Sequence, residues 1–228
     1  MIHQGSLSQT VDAVNESAFD NETAPVRERK AVAQWIAARQ GLPGAYGGTF
    51  AGFPRELRQG IVLFTGERIM SASARHILGE EASRALRTLG VRTPAVQAAL
   101  NRADSGMMNC LARAAIDPRH ENPGKFCCGK CSVGLWRNLL SGGLDRREER
   151  LRRGVGEFLR AHRADQSRWR VFPFWYTVLA LSEMDLPEAR TELAFAAPVL
   201  ERTARRAAPS TVYGRRRHEL ARRALASI

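Results

Sequence analysis

From Pro25 onward the apolar residues recur at intervals of three and four, the spacing that lines one face of an α-helix. Ala31, Val32, Trp35, Ile36 and Ala38 form one such face, which stops at Gly41-Leu-Pro-Gly44. A second face runs through Leu57, Ile61, Val62 and Leu63, and a third through Ile77, Leu78, Ala82, Ala85, Leu86 and Leu89, with Ser71 as N-cap and Gly90 as stop. Thr93-Pro94 starts a short helix through Val96 and Leu100, and another helix spans about 105–116. A cysteine-bearing helix closes at Ser141-Gly142-Gly143. Asp145 with Glu148 resembles a capping box ahead of Leu151, Val155, Phe158, Leu159 and His162, and Pro187 starts a helix that Pro198 must break or kink. No stretch alternates convincingly as a strand does. The expected class is therefore all-α, a curved array of about five helical hairpins.

Residues 1–24 carry Ser, Asn, Gln and acids without a lasting period and read as a flexible N-terminal arm. Residues 25–228 then form a single helical repeat domain. The longest apolar run, 171–181, is far below the ~20 residues of a membrane span. No basic and apolar N-terminal pair marks a signal peptide, so a cytoplasmic location is the expectation.

Within the array a phrase recurs: a small residue two before an aromatic, set in a turn between helices. It occurs at Gly44-Ala-Tyr46, Gly124-Lys-Phe126 and Ser167-Arg-Trp169. Arg39-Gln40 followed by Gly44-Ala-Tyr46-Gly47, and Gln166 followed by Trp169 and Phe174-Trp-Tyr-Thr-Val-Leu-Ala-Leu181, resemble the repeats of α/α-toroid proteins, the protein prenyltransferase β-subunit and terpene cyclase superfamily. The resemblance covers about half the chain in pieces. It implies helical rings around an apolar, aromatic-lined cavity of the kind that holds isoprenoids. The Asp-rich motif of the terpene cyclases and the prenyltransferase zinc ligands have no counterpart here, and the chain is short for a full toroid. Architecture, an open half-ring, is what the resemblance implies; activity does not follow from it.

Chemistry concentrates between 124 and 140, where three of the four cysteines fall: Cys127, Cys128 and Cys131. Cys128-Gly-Lys-Cys131 opens a helix, where unpaired N–H groups and the helix dipole favour a thiolate. Cys110, on the preceding helix, could complete a four-sulfur site if the two helices pack antiparallel, and His120 could replace one sulfur, since zinc accepts four Cys or His ligands. The same pair could act as a dithiol, with Cys128 attacking and Cys131 resolving. Burial as small core residues is the third reading of these thiols.

Further candidates are fewer. Trp169, Arg170, Phe172, Trp175 and Tyr176 could line a pocket for an apolar ligand, stack on bases, or simply pack as core. His76 and Glu80, one helical turn apart, could share a metal or a proton, with Glu67 and Arg75 nearby as an ion network; His162 lies on an apolar face. The net charge is +12, and Lys occurs only at 30, 125 and 130, so the excess is arginine, concentrated at 146–170 and 202–223. Gathered on one face these arginines would track phosphates; spread around the outside they would only solvate the surface. Three functions thus stay open: a protein binding an apolar ligand or a protein partner with a metal or dithiol centre, a helical-repeat nucleic-acid binder, or an interaction module without chemistry.

Overall fold

The computed structural model describes residues 1–70, 72–117 and 121–228, and the fold is all-α. Ser71 and His120, expected as a helix cap and a metal ligand, lie outside the described residues. In chain order the helices are α1 (Leu7–Phe19), α2 (Val26–Ala37), α3 (Pro54–Gln59), α4 (Ala72–Leu89), α5 (Pro94–Ala115), α6 (Gly129–Ser141), α7 (Arg147–Arg153), α8 (Phe174–Ser182), α9 (Pro187–Ala204) and α10 (Val212–Ala226). A π-helical stretch, Gly154–Leu159, extends α7. Two antiparallel ladders of two residues per strand complete the fold: β1 (Ile61–Val62) with β2 (Arg68–Ile69), and β3 (Arg163–Ala164) with β4 (Arg168–Trp169).

Three helices form the spine. Ile77, Leu78, Ala82, Ala85 and Leu86 bury the length of α4, Val133, Leu135, Trp136 and Leu139 that of α6, and Val178 to Leu181 that of α8. Each wholly buried large aliphatic chain contributes about 1.5–3 kcal/mol relative to exposure. α4 packs against α1, α2, α5 and α6; α6 against α7 and α8; α8 against α9 and α10. The circuit closes at the chain ends, because Arg216 of α10 donates to both carboxylate oxygens of Asp12 on α1 at 3.0 Å and pairs with Glu16 at 2.9 Å.

The N-terminal segment departs from the expected loose arm. Leu7, Val11 and Val14 fall at helical spacing and are buried, and Ser6 caps α1 by accepting from Gln9 N–H at 3.1 Å. The Glu56 carboxylate lies across the same helix start and accepts from Leu7 and Ser8 N–H, both at 2.9 Å. Polar residues on the outer face hide this three-residue stripe from a composition-based reading.

Other boundaries shift for local reasons. The helix expected through Leu57 to Leu63 stops at Gly60, whose φ of 79° and proximity to the Ile69 carbonyl suit a hairpin start. The two helices expected between 94 and 116 are one, since nothing between them breaks the backbone ladder. Asp145 does not cap α7 but accepts from Arg150 at 2.9 Å. Pro198 stays inside α9 on its exposed side.

A charged cluster lies between α1, α4, α6 and α8. Arg137 of α6 is 2 % exposed, pairs with Glu81 of α4, and donates to both oxygens of Glu183 at 2.9 and 3.0 Å. Arg84 bridges Asn15 of α1 at 2.7 Å and Glu183 at 2.9 Å, while the Tyr176 hydroxyl donates to Glu81. Burial opposes the Glu81 charge, but Arg137 and Arg84 hold its carboxyl below the ordinary range.

Candidate metal and thiol site

The site is built where α4 begins, beside the start of α6. Cys128 is the N-cap of α6 in extended conformation (φ −150°, ψ 175°), and Cys127 before it has a left-handed φ of 54°, a conformation that costs a non-glycine residue energy. A tight turn enforces it, because Cys128 N–H donates to the Phe126 carbonyl at 2.6 Å. The buried Ser132 hydroxyl accepts from Phe126 N–H at 2.9 Å, and Trp136 Nε1 donates to the Gly124 carbonyl at 2.7 Å, so α6 itself holds the turn. Gly129 must be glycine here: a Cβ would stand 2.7 Å from the Val171 carbonyl oxygen and 3.2 Å from the Phe172 ring.

Two residues of the first turns of α4 face these sulfurs. His76 Nδ1 lies 3.4 Å from Cys131 Sγ, and Ser73 Oγ lies 3.7 Å from Cys128 Sγ. The imidazole is fixed by the Tyr46 ring at 3.8 Å and the Phe126 ring at 5.3 Å between centroids. Cys128 and Cys131 are 3.6 Å apart, sulfur to sulfur. Ligating atoms of His76, Cys127 and Cys131 all lie within 4.8 Å of one another, so this group could hold a metal ion. Cys128 stands at its edge.

Protonation follows from the same geometry. A hydrogen bond from the Cys131 thiol, aided by the Cys131 and Lys130 backbone N–H groups and by Ser73, pulls Cys128 down to about 4 against the opposing effect of burial. Its neighbours respond oppositely: the Cys128 thiolate and burial raise Cys131, and burial raises Cys127. Burial lowers His76, which keeps the imidazole neutral and its lone pair free to ligate. The donors are therefore one thiolate, two thiols that a metal would deprotonate, and a neutral imidazole.

Cys110 is not among them. It is buried beneath Gly47, where a Cβ would approach its sulfur to 2.7 Å, and receives Arg113 Nη2 at 3.3 Å. Its place near the sulfur cluster goes to His76, which sequence spacing had paired with Glu80. Glu80 instead turns into the core, accepts from Asn138, and leaves Oε1 without a partner among the described residues. Burial raises its carboxyl to about 8. Nor does Glu67 join Arg75: it caps α8 by accepting from Trp175 N–H at 2.7 Å and Tyr176 N–H at 3.1 Å. His162 is satisfied by the Phe158 carbonyl at 2.8 Å.

The aromatic block sits mainly in the core. Trp169 stacks on Phe174 and donates to buried Glu192 at 3.0 Å, and Phe172 stacks on Trp136. Tyr176 borders a void of about 20 Å³, room for about one water. Trp175 is half-buried and Arg170 exposed. Along 146–163 the arginines meet acids: Arg146 with Glu149, Arg150 with Asp145, Arg152 with Glu148, Arg153 with Glu157, and Arg160 and Arg163 with Glu192. Neutralisation is partial: exposed Arg147 and Arg170 make no ion pair among the described residues, and Arg160 and Arg163 share the one carboxylate of Glu192, so a positive excess stays on 146–170. Among the described residues, no helix is long and apolar enough to cross a membrane.

Compared with known proteins, the chain matches no protein-family model, no curated protein and no solved structure.

Proposed function

We propose that the protein is a zinc-binding helical protein in which His76, Cys127, Cys128 and Cys131 form the metal centre. One observation carries the reading: the His76 ring nitrogen of α4 and the Cys127 and Cys131 sulfurs at the start of α6 lie within 4.8 Å of one another, and Cys128 Sγ stands beside that group, 3.6 Å from Cys131 Sγ. Tetrahedral zinc with Zn–S of about 2.3 Å and Zn–N of about 2.0–2.1 Å sets ligand–ligand edges of about 3.5–3.8 Å. The Cys128–Cys131 separation of 3.6 Å lies in that range, and the Cys131–His76 separation of 3.4 Å is just below it. Four protein donors make a closed site, so the metal ties α6 to α4 and acts through the fold, positioning the helical surface for an apolar ligand or a protein partner. The succession of helix contacts from α1 to α10, closed by Arg216 and Asp12, is compatible with the toroid-like architecture that the sequence resembles, which we keep as part of this proposal.

The test is metal content of untagged protein purified without chelator. One zinc per chain, reduced to well under half in His76→Ala and Cys131→Ser but kept in Cys110→Ser, supports the reading. No bound metal in protein with reduced thiols sinks it.

A dithiol centre is the second reading, favoured by Cys128 being held as a thiolate beside the buried Cys131. No metal together with one fast-reacting thiol at Cys128 would favour it.

A further inference from the structure

The sulfurs differ in access. Cys131 is 0 % exposed, Cys128 is half-buried, and Cys127 is exposed but held in a strained turn. An oxidant from solvent can therefore reach Cys128 and not Cys131, while Cys131 can reach only its neighbours. Its neighbour Cys128 is 3.6 Å away, and a disulfide of about 2.05 Å needs an approach of roughly 1.5 Å. Cys128 can supply that movement because it is the cap residue: its φ and ψ are outside the helix, so turning its side chain toward Cys131 breaks no hydrogen bond of the α6 ladder. In the proposed centre both sulfurs are ligands, so bridging them would remove two donors in one event.

We infer that metal occupancy of this site is governed by two-electron oxidation of the Cys128–Cys131 pair, with a peroxide as oxidant. The inference rests on the zinc reading above. In the first step Cys128 sulfur attacks a peroxide oxygen; an S–O bond forms, the O–O bond breaks, and the leaving hydroxide takes a solvent proton to become water. In the second step Cys131 sulfur attacks Cys128 sulfur; the S–S bond forms, the S–O bond breaks, and the departing hydroxide likewise leaves as water. The two sulfurs lose two electrons, the peroxide oxygens gain them, and zinc keeps its charge. His76 and Cys127 are left as donors, too few to retain it, and the ion departs. A dithiol reductant reverses the disulfide and restores the site.

The experiment uses the full chain loaded with zinc and treated with stoichiometric hydrogen peroxide in the presence of a chromogenic zinc chelator. Before oxidant is added, zinc content tests the metal reading separately: absence of zinc there overturns both proposals. With zinc present, the expected result is release of about one equivalent in step with loss of two hydrogen masses from the intact protein. A Cys128–Cys131 peptide should appear, and dithiothreitol with added zinc should reverse the change. Cys110→Ser should behave as the parent protein. In Cys131→Ser, which lacks the resolving sulfur, oxidation should stop at a dimedone-reactive sulfenic acid on Cys128, whether or not that variant binds zinc. Zinc retained through disulfide formation overturns the inference, as does release that accompanies only a Cys127 disulfide or oxygen addition.

Discussion

Cys131 Sγ lies 3.4 Å from His76 Nδ1, which joins the first turn of α6 to the second turn of α4 across 55 positions of chain. Zinc bound there would stabilise the native state alone, and ligand at ~1,000 times its dissociation constant is worth about 4 kcal/mol. Stripping the zinc-loaded protein with a strong chelator should lower Tm by about 8–16 °C at this chain length. Melting that is unchanged after complete removal of the metal would show that the site plays no part in stability.

Asp12 and Asn15 bring α1 into the charged interior, through Arg216 and through Glu81 and Arg84. Deleting residues 1–24 should therefore do more than shorten an arm. It exposes the α4 face under Leu7, Val11 and Val14 and leaves Arg216 without its main partner. Loss of several kcal/mol is expected, seen as a Tm fall of more than 5 °C or as non-cooperative unfolding. A truncated protein that melts like the full chain would contradict the docking of α1.

Arg137 is the cation that Glu81 and Glu183 share. Arg137→Met keeps much of the volume but leaves Arg84 as the one cation to offset the Glu81 and Glu183 carboxylates, at a cost of about 3–5 kcal/mol in urea unfolding at pH 7. Arg137→Lys should recover only part of that, since an ammonium lacks the planar fork that reaches both acids. A methionine variant within about 1 kcal/mol of the parent would rule out the buried pairing as described.

Glu80 gives stability a pH dependence of defined sign. Its carboxyl is raised from 4.5 to about 8 by burial, so the folded state holds a proton that the unfolded chain has lost. Its contribution is full below pH 4.5 and falls as pH rises toward 8, by at most about 1.4 kcal/mol per unit. Glu80→Gln, which removes the charge and keeps the shape, should flatten this component and leave the variant more stable than the parent at pH 8.5. Parallel stability profiles for the two proteins between pH 5 and 8.5 would refute the assignment.

Helical class was legible because a 3.6-residue period is a property of neighbouring residues, and α2, α4 and the stretch from Leu151 carry it openly, whereas α8 is an apolar run buried almost all round. The Thr93 cap was equally local, and its hydroxyl accepts from Val96 N–H as expected. Alpha1 escaped notice because only Leu7, Val11 and Val14 mark its buried face, and a stripe of three among polar residues looks like chance until a partner helix covers it.

For the candidate site the same division holds. Local sequence determined that Cys128 opens a helix and that Cys131 lies one turn further on, because both follow from the α6 period and its cap. Local sequence likewise set His76 and Glu80 one turn apart, but not which of them would face the sulfurs. Only tertiary packing decided that: α4 laid along α6 turns His76 toward Cys131 and Glu80 toward Asn138, and α5 holds Cys110 under Gly47 instead. The physical reason is one of range. Backbone hydrogen bonding and side-chain period act over a few residues, whereas the contacts that assemble the site join residues some 55 positions apart and exist only once the helices have packed.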